Sequence, residues 1–208
     1  MKSLFFVVLS CIAAGSYAQD GTLAKSNQTG TVPAALITND ATYWTISTVS
    51  TTGYVNTTPG AYYNTYKSGG GMLVKFKFKP NNRYEFMLYV QSNMYNNDIE
   101  TWTQVEGTVT FTKDDKGQNI FITRAEKGSY RIVKNGTTTN RPIAESELKG
   151  QHSSTYLWEK TRFADDPNNI YLLTVDLKQH PKADVNTPKS IDPSWVSRFH
   201  IPVAQGKK

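Results

Sequence analysis

The chain reads as an all-β protein: a single antiparallel up-and-down barrel or a barrel-like sandwich, with at most one short helix. Three observations predict this. Residues 73–79 end in strict alternation, Lys75-Phe76-Lys77-Phe78-Lys79, so lysines point to one side of a strand and phenylalanines to the other. The chain carries 4 Trp, 12 Tyr and 9 Phe with abundant Thr and Val, residues that suit a pleated, half-buried surface. Short β-type runs are broken at regular intervals by turn residues, without a long helical period or an internal repeat. About eight to nine strands in sequential hairpins favour a barrel, because closure removes vulnerable sheet edges.

The elements follow in order. Residues 1–18 have the layout of a cleavable signal peptide. Lys2 supplies a positive start, an apolar stretch runs from Leu4 to about Ala14, and the small residues Ser16 and Ala18 precede Gln19. The stretch is too short for a spanning helix, and no other segment is apolar enough to be one. Export to the periplasm or beyond is the expectation. Val8-Leu9-Ser10-Cys11 also resembles a lipid-attachment motif, which would make Cys11 an anchor. Cleavage after Ala18 instead removes the only cysteine, so packing and hydrogen bonds must hold the domain without a disulfide.

Residues 19–40, rich in Gly, Thr, Ala, Ser and Asn, read as a leader lying on or near the domain, which spans 41–203 and ends in a tail, 204–208. Tyr43-Trp44-Thr45-Ile46 opens the first strand. Residues 72–90 form a hairpin about the turn Pro80-Asn81-Asn82-Arg83. Residues 101–112 make the next strand, with Val105, Gly107, Val109 and Phe111 on one face. Gly107 marks a bulge or bend, and the opposite parity of Trp102 is read as a bulge between it and Val105. Residues 119–124 and 129–134 are expected as two strands, and Asn135-Gly136 as a tight turn. Residues 142–149 (PIAESELK) are the best helix candidate, stopped by Gly150. Three further strands are expected over 154–162, 169–177 and 194–201.

The ordering of an aromatic-led first strand, the FKFKPNNRYEF hairpin at 76–86, the GTVTFT strand at 107–112 and the late STYLWEK strand at 154–160 resembles exported bacterial lipocalin-like domains of unknown function. The resemblance covers roughly residues 40–201 and implies a lipocalin-like (calycin-like) barrel. The family's G-x-W motif is absent, since Ala41-Thr42-Tyr43 precedes Trp44, and no C-terminal helix is evident. No binding residue is carried over from it.

Chemistry is sparse. Hydrolase, metalloprotease, nucleotide-binding and dinucleotide-binding motifs are all missing. The histidines His152, His180 and His200 show no ligand spacing, so no metal and no cofactor is expected. Asp98 and Glu100 would share a face if they lie in a strand, the arrangement a glycan-cleaving carboxylate pair would use, although Asn96-Asn97-Asp98 reads as a loop entering the strand. Asp114-Asp115 and Asp165-Asp166 read as turn acids. Loss of Lys2 with the signal peptide lowers the formal charge from +6 by one. This mild, scattered basicity excludes a nucleic-acid footprint and leaves a weak attraction to an anionic envelope surface. Lys75, Lys77 and Lys79 read as a solvated strand face.

The aromatics carry the functional expectation. Trp44, Phe76, Phe78, Tyr84, Phe86, Trp102, Tyr156 and Trp158 are expected mostly to point inward, together with Phe111, to fill the core or line an apolar cavity. Tyr62, Tyr63, Tyr66 and Tyr95 are placed in loops, as contacts for a ligand or partner. The expected protein is a secreted, non-enzymatic binder of a small apolar or amphipathic molecule in the barrel, or of a glycan or partner at its aromatic loops. The alternatives are a carboxylate-dependent hydrolase acting on a glycan and a surface-acting envelope or inhibitor protein without a deep pocket.

Overall fold

A computed structural model describes residues 30–39, 41–55, 65–94 and 97–203. The expected signal peptide, Cys11, the tail, Tyr62, Tyr63 and Tyr95 lie outside the described residues. No described helix is long and apolar enough to cross a membrane.

Among the described residues nine antiparallel strands form one sheet: β1 (Trp44–Val55), β2 (Thr65–Lys79), β3 (Arg83–Met94), β4 (Asn97–Lys113), β5 (Asn119–Lys134), β6 (Thr137–Pro142), β7 (Thr155–Phe163), β8 (Asp166–Asp176) and β9 (Ser197–Pro202). β1 to β5 pair in sequence, β5 pairs with β7, and β7, β8 and β9 follow in turn. The Thr45–His200 pairing of β1 with β9 closes the ring. β6 is the ninth strand, folded back on the end of β5 as a hairpin. The all-β, barrel-like fold expected from the sequence is therefore present.

The ring has a lower end, with the β2–β3, β4–β5 and β7–β8 turns, and an upper end, with the β5–β6 turn. Its walls are unequal. β4 has 17 residues and β5 has 16, against 9 in β7 and 6 in β9, so β1 to β6 rise above the rest. At the lower end Asn81 and Asn82 adopt positive φ (66° and 58°) in the β2–β3 turn, a conformation asparagine tolerates better than most residues.

Several expectations are corrected. Residues 119–124 and 129–134 are one strand. A register shift at Glu106/Gly107 pairs Lys127 with Glu106 and Ala125 with Gly107, leaving Glu126 as the extra residue. That extra residue changes the parity of β5, so Phe121 and Thr123 below it and Tyr130 and Ile132 above it all face inward. A Cβ on Gly107 would lie 2.0 Å from the Arg124 carbonyl oxygen, which explains glycine at the bulge. Between Trp102 and Val105 the register with β3 and β5 is unbroken, so the bulge expected there is absent. The helix, α1 (Glu145–Gln151), starts three residues later than expected and runs through Gly150. Glu147 accepts from the Ala144 N–H at its start. Tyr66 belongs to β2, opposite Tyr54, rather than to a loop. Lys77 is buried at 4% exposure, with its ammonium 4.9 Å from the Tyr43 ring centre, so the lysine row is not uniformly solvated.

The leader is partly core. Gly30 N–H donates to the Phe111 carbonyl, Ile37 bridges to Phe78, and Leu36 is fully buried. The Asn82 side chain accepts from the Val32 N–H and donates to the Gly30 carbonyl, fixing this segment at the lower end. A second, smaller core lies outside the ring, where Ile120, Leu157 and Val175 are covered by Ala183, Leu177, Ile191, Trp195 and Val196 from the β8–β9 connection.

Candidate functional site

Inward alternation brings seven of the eight expected aromatics into the ring. Trp44 and Phe78 are fully buried, Tyr84 is at 2% and Phe76 at 6% exposure. Phe76 on β2 meets Phe121 of β5 at 5.9 Å and Phe199 of β9 at 6.1 Å between ring centres. Phe78 meets Phe111 at 5.2 Å and Phe121 at 5.4 Å. Phe86 packs edge-on against Phe76, Tyr156 stacks on Phe121, and Trp158 stands edge-on to Phe111. Rings from different walls thus touch across the lower barrel and make a floor of packed aromatics.

The polar tips of these rings are differently placed. Tyr84 is pushed up to about 12, chiefly by burial, and its OH reaches toward the His152 carbonyl at 3.5 Å. Burial likewise pushes the Tyr156 phenol well above its ordinary value. The indole nitrogen of Trp158 is buried and has no hydrogen-bond partner among the described residues.

Trp102 does not join them. It shares neither face nor environment with Val105, and stands on the outer wall between Tyr89 (ring centres 4.8 Å apart) and the Arg131 guanidinium (4.8 Å). The three side chains come from neighbouring strands at paired positions, a cross-strand ladder rather than a cavity wall.

Above the floor the inner face continues on the tall wall. The register sets Ile46, Val74, Leu88, Thr103 and Tyr130 in one row and Met72, Val90, Thr101 and Ile132 in the next. The apolar members are only partly buried, and Val90 is 37% exposed. One side of this shelf is polar. Tyr130 Oη lies 2.8 Å from His152 Nε2 at the end of α1, and the Arg141 guanidinium sits 4.4 Å from the Tyr130 ring centre. Glu147 holds Arg141 with two hydrogen bonds of 2.9 and 3.1 Å and is itself held below the usual carboxylate range by them. Burial pulls His152 below its ordinary value, so it is neutral near pH 7. A shallow groove runs beside this corner along the β5–β6 pair.

The shelf residues were not singled out in the sequence, although the parity of Phe76 and Phe86 extends to Val74 and Leu88. Tyr130 and His152 gave no such signal, because the Glu126 bulge and the helix end that juxtapose them depend on tertiary structure.

The other candidate groups are dispersed. Asp98 and Glu100 do share the outer face of β4, where they are paired with Asn93 and Gln91, and Asp98 already lies within the strand. Asp114 accepts from the N–H groups of Lys116 and Gln118, and Asp166 accepts from Asn169 and Tyr171, so both act as turn acids. The three histidines have separate partners: His180 stacks on Trp195, His152 bonds to Tyr130, and His200 lies against Tyr171. Among the described residues no three His, Cys, Asp or Glu side chains converge as a metal cluster would require. No protein-family model, curated protein or solved structure matches this chain.

Proposed function

We propose that the chain is an exported, non-enzymatic binding protein, akin to the lipocalin-like domains its sequence resembles, that takes a small amphipathic molecule on the upper inner face of its barrel. The observation that carries this reading is the division of the interior. The lower half is filled by its own aromatic rings, while Ile46, Met72, Val74, Leu88, Val90 and Ile132 continue the same face above them without being covered to the same degree. Apolar side chains gain by leaving water, roughly 25 cal/mol per Å² of area. A ligand lying on this shelf covers the row, and the Tyr130–His152–Arg141 corner offers a hydrogen-bonding end to its polar part.

Native mass spectrometry of the protein purified from its own host tests this. A co-purifying small molecule on the wild type that is lost from a Leu88→Arg variant is the expected result. A ligand-free wild type, or a molecule retained by Leu88→Arg, contradicts it.

A further inference from the structure

The outer edge of β6 carries a second kind of site. Asn135 and Gly136 have positive φ (49° and 81°), and the Lys134–Thr137 pair flanks them directly, so β5 and β6 form a two-residue hairpin. In such a hairpin the flanking pair exchanges both hydrogen bonds, and bonded and non-bonded pairs then alternate. Thr137, Thr139 and Arg141 therefore spend their backbone groups on β5. Thr138 and Asn140 turn theirs away from it. Pro142 occupies a non-bonded position opposite Ser129, as a residue without an N–H must.

All six residues of β6 are exposed, and its register with β5 is uninterrupted. Edge strands are usually guarded by lysine, proline, a bulge or a covering element. β6 is guarded at one end only, by Arg141 and Pro142, while Thr137-Thr138-Thr139-Asn140 is uncharged, extended and bare.

We infer that this edge pairs with the same edge of a second copy of the chain, antiparallel about a two-fold axis at Thr139. The register follows from the free groups. Setting Thr139 opposite Thr139 of the other copy places Thr138 opposite Asn140, the two residues whose N–H and C=O groups face outward, so that each satisfies the other. The symmetric pair makes about four backbone hydrogen bonds. Pro142, which has no donor, falls opposite Gly136 in the turn, outside the paired stretch. Arg141 falls opposite Thr137, so like charges do not face each other and one threonine–threonine pair meets at the centre. Among the described residues β1 pairs with β9 only at Thr45, so its upper part is unpaired there on that side. Pairing β6 with that edge would be head-to-tail and would not close, whereas β6 on β6 closes as a two-fold dimer.

Sedimentation velocity over a concentration series and cysteine crosslinking test this together. In a Cys11→Ser background, which removes the chain's only native thiol, Thr139→Cys places two cysteines opposite each other at about 4.5 Å between Cα atoms, within disulfide reach. Thr137→Cys does not. The expected results are a reversible dimer, a disulfide-linked dimer formed at least ten-fold faster with Thr139→Cys than with Thr137→Cys, and a monomer for Thr138→Pro with an unchanged thermal midpoint. The last holds because the Thr138 N–H does not serve β5. A wild type that stays monomeric up to about 1 mM overturns the inference. So do equal crosslinking rates at 137 and 139, or open-ended polymers in place of a dimer.

Discussion

The indole N–H of Trp44 donates to the Leu36 carbonyl at 3.0 Å, and both residues have 0% exposure. One hydrogen bond thus ties the first strand to the segment ahead of it inside the core. Removing the donor deprives the buried Leu36 carbonyl of this hydrogen bond. Trp44→Phe is expected to cost about 2–4 kcal/mol, combining that loss with lost ring volume. Urea unfolding measures the loss, and limited proteolysis should cut earlier near residues 30–37.

Asn82 holds the same segment from the other side with both ends of its amide, at 3.1 Å to Val32 N and 2.8 Å to the Gly30 oxygen. Its φ is positive. Asn82→Gly keeps the backbone conformation and removes only the hydrogen bonds, whereas Asn82→Ala removes both. Alanine should therefore be the more destabilising by about 1 kcal/mol, read as the difference between the two urea midpoints.

Two glycines separate lack of space from backbone conformation. Gly107 has no room for a Cβ against the backbone of Arg124, while Gly117 has open space but φ of 76°. Gly117→Ala should cost about 1 kcal/mol, the price of a left-handed alanine. Gly107→Ala should cost about 3 kcal/mol or more, because β4 and β5 must move apart at the bulge. Amide exchange at Arg124 and Ala125 would show where the ladder opens.

His152 predicts a pH slope. Burial is the main cause of its lowered pKa, Lys178 lowers it further, and Glu147 opposes both. Tyr130 hydrogen-bonds its ring, and Arg141 lies over the Tyr130 ring. As pH falls, the unfolded chain takes up this proton first. The contribution is complete above the ordinary histidine value of about 6.5 and is lost progressively below it. Glu147, also lowered, acts in the same direction near the carboxylate range and so at lower pH. Urea midpoints between about pH 8 and pH 5.5 should decline in the wild type and decline less in His152→Gln.

Local pattern carried most of the fold. The Lys-Phe alternation of residues 75–79 placed β2 and its inner face, and Asn135-Gly136 placed a turn that the positive φ values bear out. What was not legible depends on contacts between distant residues. β6 is Thr-Thr-Thr-Asn-Arg-Pro, with no apolar face to betray it, and is defined only by pairing with β5. The leader lacks a period because Leu36 is buried by Trp44 and the lower barrel rather than by its own neighbours. Trp102 was expected inside on residue type, yet unbroken pairing puts it outside, where Tyr89 and Arg131 cover its faces. The aromatic residues therefore marked the core more than the candidate site, whose shelf is made of ordinary aliphatic side chains.

The most direct test of the binding shelf is titration of an apolar fluorescent probe into the wild type, Leu88→Arg and Trp102→Ala. Leu88 is partly exposed above the aromatic floor and Trp102 lies on the opposite face of the sheet. The expected result is binding to the wild type and to Trp102→Ala with affinities within about two-fold, and at least a ten-fold loss, about 1.4 kcal/mol, in Leu88→Arg with its fold intact. Equal binding by Leu88→Arg, or loss of binding in Trp102→Ala alone, would contradict a ligand site on the upper inner face.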